Sequence, residues 1–235
     1  MSLIRDIRLF ESDKPNADGF SIPSYIGSIY HYDFIESQDV IHRLLFLLRS
    51  RGFSFGDFHH LYVNYTPLLE HGALKKVHRY TIREFAWFKW VDVGCDNELF
   101  NSWSLDEKND FIISTVRSAA ELMSPEEGRG TLRTAFDEVM QCGENLILPY
   151  KQKSSEDYTV DIMLRINDEL DFLPIIQITN SSGDIICKKE LDAYGRDAFI
   201  CQFGTMSLGK RSLRITPRKR YESEYYELKP IKIIW

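Results

Sequence analysis

The sequence predicts an α+β fold, in which a mixed or antiparallel sheet is covered by about three helices and followed by a C-terminal run of antiparallel strands. Apolar residues recur at helical spacing in three segments, and two of these segments follow capping motifs. After Gly143 the pattern changes to short segments in which apolar and polar residues alternate. Because the strands follow the helices rather than alternate with them, the pattern favours α+β over α/β.

Length and composition are those of a globular protein. The chain has 235 residues, of which 43% are hydrophobic and 27% are charged, enough to bury a sizeable core. We expect a single domain over residues 1–235, the alternative being a helix-rich lobe, 1–143, and a β-rich lobe, 144–235. The sequence contains no secretory signal and no apolar stretch that could cross a bilayer. We therefore expect a cytoplasmic protein without membrane contact.

The N-terminal third predicts two extended segments and a buried helix. Ile4–Phe10 has the pattern of a strand, Ser12–Gly19 that of a loop, and Tyr25–Phe34 is rich in aromatic and β-branched residues. The helix is predicted to begin with Ser37 as its N-cap and to end before Gly52. Apolar residues follow each other at helical spacing between these two positions, which indicates a buried element.

Two strands are predicted after this helix, at His60–Tyr65 and Val77–Val93. The segment Glu70–Gly72 between them is predicted to be a hairpin loop. The second half of Val77–Val93 is apolar at both odd and even positions. A strand that is apolar on both faces is expected in the middle of a sheet.

Two consecutive helices are each predicted to begin at a capping box. Ser104 pairs with Glu107 in the first and Ser124 pairs with Glu127 in the second. Gly143 is expected to end the second helix.

The remainder predicts short antiparallel strands, with a hairpin turn at Asn180–Asp184 and a further turn at Gly204–Gly209. The predicted strands are Leu146–Leu148, Val160–Ile166, Leu173–Thr179, Ile185–Lys189, one marked by Leu213 and Ile215, and Tyr225–Trp235.

The cysteines do not form a metal or redox motif. The sequence contains Cys95, Cys142, Cys187 and Cys201, and no pair has CxxC spacing. We expect four free thiols. The carboxylates of Asp92 and Asp96 beside Cys95 are expected to raise the pKa of its thiol, which favours a structural cysteine over a nucleophile.

Four histidines lie within 20 residues of each other: His59, His60, His71 and His78. Adjacent strand residues point to opposite faces, so His59 and His60 are not expected to act together on one ion. There is no HExxH, no GxSxG and no phosphate-binding glycine loop. We therefore expect no catalytic residue, no metal and no cofactor. The alternative is a small enzyme that uses carboxylates with one or two of these histidines.

Two acidic clusters are the candidate binding residues. The first extends from Asp92 to Asp110 and also contains Asp106 and Glu107; its predicted contact residues are Asp92, Asp96 and Glu98. The second extends from Glu156 to Asp171, and its predicted contact residues are Asp157, Asp161, Asp168, Glu169 and Asp171. Either could be a solvated face with helix-start acids, a surface that docks on a basic partner, or a carboxylate site for acid–base or metal chemistry. The net charge of −6 suits a basic partner and disfavours broad contact with a phosphate backbone.

A basic run extends from Lys210 to Arg220 and is followed at once by Glu222, Glu224 and Glu227. Such a run can bind nucleic acid. We instead favour ion pairing between the run and the glutamates across a hairpin, and expect no nucleic-acid contact.

One part of the chain resembles a known class of proteins. The segments Tyr62–Pro67, Trp87–Gly94 and Trp103–Lys108, the last just before a helix, resemble immunity proteins encoded beside bacterial polymorphic or contact-dependent toxins. The similarity covers about residues 60 to 120, and the C-terminal strands match no family. It implies an acidic cytosolic protein without catalytic residues that binds a cognate toxin domain and occludes its active site.

The resemblance also implies that the acidic clusters are the contact surface, because many toxin domains are basic nucleases. The alternatives are the small enzyme above and a structural subunit of a larger assembly.

Overall fold

A computed structural model describes residues 2–14, 23–33, 35–78 and 87–235. It confirms the α+β class, because helices accompany one mixed sheet and two antiparallel sheets. The chain divides into two compact units, Met1–Gln141 and Cys142–Trp235, which are described separately. The single-domain organisation stays a prediction.

The first unit is built on a mixed sheet. Its strands are β1 (Asp6–Glu11), β2 (Ser24–Tyr25), β3 (His60–Thr66), β4 (Leu74–Val77) and β5 (Phe88–Gly94). The order across the sheet is β2-β1-β3-β5-β4. The three central strands are parallel, and the two outer strands pair antiparallel to their neighbours.

Helices cover this sheet. They are α1 (Ile35–Ser50), α2 (Asn97–Ser102), α3 (Leu105–Met123) and α4 (Glu126–Cys142). α1 packs on β1 and on α3, and α3 packs on β3. The fully buried Leu44 and Leu48 of α1 each stabilise this packing by about 1.5–3 kcal/mol. The Tyr65 hydroxyl of β3 lies 2.9 Å from the Thr115 hydroxyl of α3.

The start of α1 differs from the prediction. The helix begins at Ile35, so Ser37 lies inside it as a buried residue and is not the N-cap. The predicted end is confirmed, because Gly52 has a φ of +71°, which glycine adopts at little cost. The extended segment predicted at Tyr25–Phe34 is wrong over most of its length. Only Ser24–Tyr25 pairs as a strand, residues 26–30 bend, and Phe34 lies outside the described residues.

The long strand predicted at Val77–Val93 is also wrong. Val77 of β4 pairs antiparallel with Trp90 of β5, so the segment contains two strands, and residues 79–86 between them lie outside the described part of the chain. Glu70–Gly72 is a turn, but it does not join a hairpin because β5 lies between β3 and β4. The central position of β5 is confirmed.

The two predicted capping boxes have different outcomes. The box of Ser104 and Glu107 is confirmed. The Ser124 hydroxyl instead donates to the Ala120 carbonyl at 2.7 Å, so it ends α3 rather than capping α4. The short helix α2 was not predicted.

The second unit contains two antiparallel sheets and two short helices. Its elements are β6 (Leu148–Ser154), β7 (Tyr158–Ile166), β8 (Phe172–Asn180), β9 (Ile185–Glu190), α5 (Arg196–Gln202), β10 (Thr205–Gly209), β11 (Ser212–Thr216), α6 (Tyr221–Tyr225) and β12 (Ile231–Ile234). The sheet orders are β6-β7-β8-β9 and β10-β11-β12. Rings of Phe172, Phe199 and Phe203 pack together beside Tyr150 in its interior.

Two C-terminal predictions are corrected. Gly204–Gly209 was predicted to be a turn, but Thr205–Gly209 forms β10 and pairs with β11. Tyr225–Trp235 was predicted to be one strand, but α6 ends at Tyr225 and only Ile231–Ile234 is extended. The Asn180–Asp184 turn is confirmed: the Asn180 amide donates to the Asp184 carbonyl at 2.9 Å.

Candidate partner-binding surface

A buried carboxylate organises the loop that follows β2. Glu11, at the end of β1, is 2% exposed. Its oxygens accept hydrogen bonds from the amides of Gly27, Ser28, Ile29 and Tyr30 at 2.8–3.2 Å. Backbone amides that are shielded from water need acceptors, and here one carboxylate serves the buried Tyr30 amide and three amides in partly buried contacts. The loop is therefore fixed to the end of β1.

The same loop holds α2 and the beginning of α3. The Asn101 side chain accepts from the His31 amide at 2.8 Å and donates to the Ile29 carbonyl at 2.9 Å. The Lys108 ammonium donates to the His31 carbonyl at 3.1 Å, and the Tyr32 hydroxyl donates to Asn109 at 2.6 Å. Consecutive hydrogen bonds thus connect β1, through this loop, to α2 and α3.

α2 is short but well anchored. Asp96 is its N-cap and accepts from the Leu99 amide at 2.9 Å. Phe100, on the inner side, is fully buried and packs against the ring of Tyr30 at 5.4 Å. Glu98 and Leu99, which precede Phe100 on the helix, are exposed to solvent.

The exposed side of α2 and the first turns of α3 combine carboxylates with leucines. Leu99 is 45% exposed and Leu105 is 48% exposed. We call this the α2–α3 surface, and its exposed members are Asp96, Glu98, Leu99, Leu105, Asp106 and Asp110. Glu107, beside them, is occupied by the capping box, and hydrogen bonds from the hydroxyl and amide of Ser104 lower the pKa of its carboxyl.

Asp92, the remaining member of the first acidic cluster, lies away from this surface. It is buried on β5, where its carboxylate accepts from the Asn64 side chain at 2.9 Å. Asp92 therefore has a place in the interior of the first unit rather than on an exposed face.

The second acidic cluster is divided by a strand. Asp157 is exposed before β7, whereas Asp168 and Glu169 are exposed after it. β7 has nine residues, so its ends are roughly 26 Å apart at 3.3 Å per residue.

Two further members of the second cluster have local partners. Asp161 accepts from Gln152 at 2.7 Å. The Asn167 side chain donates to Asp171 at 3.3 Å and accepts from the Asp171 amide at 2.7 Å. These five acids therefore do not form one concentrated surface.

His59 and His60 are in contact, contrary to the expectation that they diverge. β3 begins at His60, so His59 precedes the strand and does not follow its alternation. The two Nδ1 atoms face each other within hydrogen-bonding distance, and both rings contact Trp87. Burial lowers the pKa of His60 to about 4, an effect that the charge of Asp6 opposes.

The other histidines lie elsewhere. His71 stacks on Phe111 and accepts from the Asp96 amide at 3.2 Å, near the end of β3 opposite to His60. β3 has seven residues, which separates the two positions by roughly 20 Å. His78 is exposed after β4. Within the described ranges no group of three or more His, Cys, Asp or Glu residues could hold a metal ion.

The cysteines are unpaired, as expected. Burial is the main reason that the pKa of Cys95 is raised to about 12, and the charge of Asp96 adds to it. The direction of the shift is the predicted one, although the neighbouring carboxylate is only its minor cause.

The basic run is not neutralised in the predicted way. None of its six cations forms an ion pair with Glu222, Glu224 or Glu227, all of which lie in the described part of the chain. The interpretation as ion pairing across a hairpin is therefore wrong. The turn of the β10–β11 hairpin contains Lys210 and Arg211, whereas the glutamates follow Arg220 on and after α6.

Sequence reasoning missed the role of Glu11 and the exposure of Leu99 and Leu105. An acidic residue at the end of an apolar strand was the available signal for Glu11. No local signal separates the exposed Leu99 from the buried Phe100, since both are apolar residues in an unpredicted helix.

Comparisons of the chain with family models, curated proteins and solved structures find no match. Among the residues that the structure describes, no helix has the length and apolar character needed to cross a membrane.

Proposed function

We propose that this protein is an immunity-type inhibitor that acts in the bacterial cytoplasm, where it binds a cognate, basic toxin domain and occludes its active site. The α2–α3 surface is the proposed contact. The observation that carries the proposal is the combination on that surface of exposed carboxylates with the exposed side chains of Leu99 and Leu105.

The chemistry of the surface supports a protein partner with positive charge. Carboxylates attract a basic partner over a distance and accelerate the encounter. Apolar side chains within a charged rim provide the area whose burial stabilises the complex. The anchored loop supports rigid presentation of both, because a preorganised surface loses less conformational entropy on binding.

The α2–α3 surface is preferred to the second acidic cluster. Its carboxylates lie on two helices that only Trp103 and Ser104 separate. In the second cluster Asp161 lies on β7 and the other four acids lie beyond its two ends, and two of the five have local hydrogen-bond partners. A concentrated group of like charges produces the stronger local field.

The test is a charge-reversal experiment with the toxin domain encoded next to this gene. The first variant combines Glu98→Lys, Asp106→Lys and Asp110→Lys. The control combines Glu156→Lys, Asp157→Lys and Glu169→Lys, which changes the net charge equally. Asp96 and Glu107 are left intact because they cap helices. Rescue of growth and the association rate are measured after urea unfolding has confirmed the fold of each variant.

We expect the native chain and the control to rescue growth, and the first variant to lose rescue and associate at least about tenfold more slowly. Failure of the native chain to bind or rescue would refute the proposed function. Equal loss of rescue in both variants would refute the α2–α3 surface as the contact.

A further inference from the structure

The C-terminal part of the second unit carries a local positive charge in an acidic protein. Residues 203–235 contain eight Lys and Arg residues and three Glu residues, a net charge of +5, whereas the whole chain has −6. The α2–α3 surface does not include residues 203–235. The positive charge of this region therefore needs a separate explanation.

Four cations of this region line one open depression of about 800 Å³. They are Arg218, Lys219, Arg220 and Lys229, and none forms an ion pair with a described residue. Burial and, second to it, the charge of Arg218 lower the pKa of Lys151 on β6. Glu224 and Glu227 also line the depression and offset part of the charge.

Exposed tyrosine rings lie at this depression. Tyr221 lines it and is 77% exposed, and Tyr225 is 69% exposed. The two rings are stacked with centroids 6.4 Å apart, and Tyr226 meets Tyr225 edge-on at 5.1 Å. Because both rings are largely exposed, the bases of a ligand can stack on them.

The segment that carries these side chains is fixed to the unit. The Ser223 hydroxyl donates to the Arg218 carbonyl at 2.6 Å, and Gln202 of α5 donates to the Lys229 carbonyl at 3.0 Å. The Arg218 amide donates to the Cys201 carbonyl at 2.8 Å. Ser223 and Gln202 are both buried. The backbone that carries the cations and rings is therefore fixed to the unit.

From this arrangement we propose that the cations and tyrosines around the Arg218–Lys229 depression form a binding site for single-stranded nucleic acid. The cations contact phosphates, and the bases stack on Tyr221 and Tyr225. A duplex keeps its base faces in its own stack and cannot use the tyrosines. An acidic peptide would use the cations alone, so it leaves the adjacent exposed rings without a role.

The test is fluorescence anisotropy of labelled 12-nucleotide oligo(U) and oligo(dT) with the full chain. A duplex of equal length, heparin and a poly-Glu peptide serve as competitors. We expect the protein to bind both single strands. We also expect none of the three competitors, added at an equal concentration of charge, to displace them. If all four cations contact phosphates, the slope of log affinity against log salt is about −2.8. The two oligonucleotides show whether RNA or DNA is preferred.

Variants separate stacking from charge. Tyr225→Ala is expected to weaken binding about 5- to 150-fold, and Tyr225→Phe, which keeps the ring, is expected to restore it. The double variant Arg218→Ala, Arg220→Ala should weaken binding at least about tenfold. The control Lys188→Ala, Lys189→Ala removes the same charge from exposed positions on β9 and should leave binding unchanged.

The proposal would be overturned if neither oligonucleotide binds at about 50 mM salt, where electrostatic contacts to phosphates are strong. Equal loss in the Arg218/Arg220 and Lys188/Lys189 variants, or binding that Tyr225→Ala leaves unchanged, would also overturn it. Each of these outcomes leaves the inhibitor function untouched, since that function uses other residues.

Discussion

The most informative stability test concerns Glu11. The substitution Glu11→Gln keeps the size of the side chain but replaces one carboxylate oxygen by an NH₂ group. Oε1 accepts from the amides of Ser28 and Ile29, and Oε2 accepts from those of Gly27, Ile29 and Tyr30. If Oε1 is replaced, the Ser28 amide loses its acceptor while the Ile29 amide keeps Oε2; if Oε2 is replaced, the Gly27 and Tyr30 amides lose theirs. At about 1.5–3 kcal/mol for each bond to a charged group, the loss is at least about 1.5 kcal/mol.

Urea unfolding followed by tryptophan fluorescence measures this loss, because Trp87, Trp90 and Trp103 all belong to the first unit. The control Glu70→Gln changes an exposed side chain of the same unit and should stay within about 0.5 kcal/mol of the native value. A decrease below about 1 kcal/mol for Glu11→Gln would refute the conclusion that this carboxylate organises the loop.

Three other predictions test separate parts of the structure. In Gly94→Ala the new Cβ would lie 1.8 Å from the Glu70 carbonyl oxygen, so we expect a loss of about 3 kcal/mol in urea unfolding. Gly130→Ala, on an open helical site, should instead gain up to about 1 kcal/mol; the reverse order would contradict the packing. Because the folded-state pKa of His60 is lowered from 6.5 to about 4, the unfolded chain binds the proton more strongly between these values. The free energy of unfolding should therefore fall as the pH decreases from 6.5 to 4, and less steeply in His60→Gln; identical slopes would contradict this. Thiol titration of the folded chain should modify Cys187 and spare Cys95, whose pKa is raised to about 12; rapid modification of Cys95 would contradict its burial.

Local signals predicted the elements that depend on neighbours in sequence. The capping box of Ser104 and Glu107 involves residues three positions apart, and the α+β class follows from periodicity, so both were predictable. The turn at Asn180–Asp184 is local in the same way.

Long-range pairing decided the elements that were predicted wrongly. The run of apolar residues from Val77 to Val93 predicts one strand, yet Val77 and Trp90 pair across the sheet as members of two strands. Gly204 and Gly209 predict a turn, although pairing with β11 keeps β10 extended. Neither pairing leaves a trace in the local sequence.

The candidate surface was predictable only in part. The acidic positions Asp96 and Glu98 could be named, but burial removes Asp92 and the length of β7 divides the second cluster. Spacing in sequence does not reveal either effect, because both depend on which face of the fold a residue occupies.

Hydrogen–deuterium exchange of the complex with the adjacent-gene toxin domain shows which surface of this protein the toxin covers. We expect binding to slow exchange of the amides from Asp96 to Asp110, while those around Asp157 and Glu169 exchange as in the free protein. Slowed exchange confined to residues 155–171, or no complex at all, would contradict the claim that the α2–α3 surface binds a basic toxin.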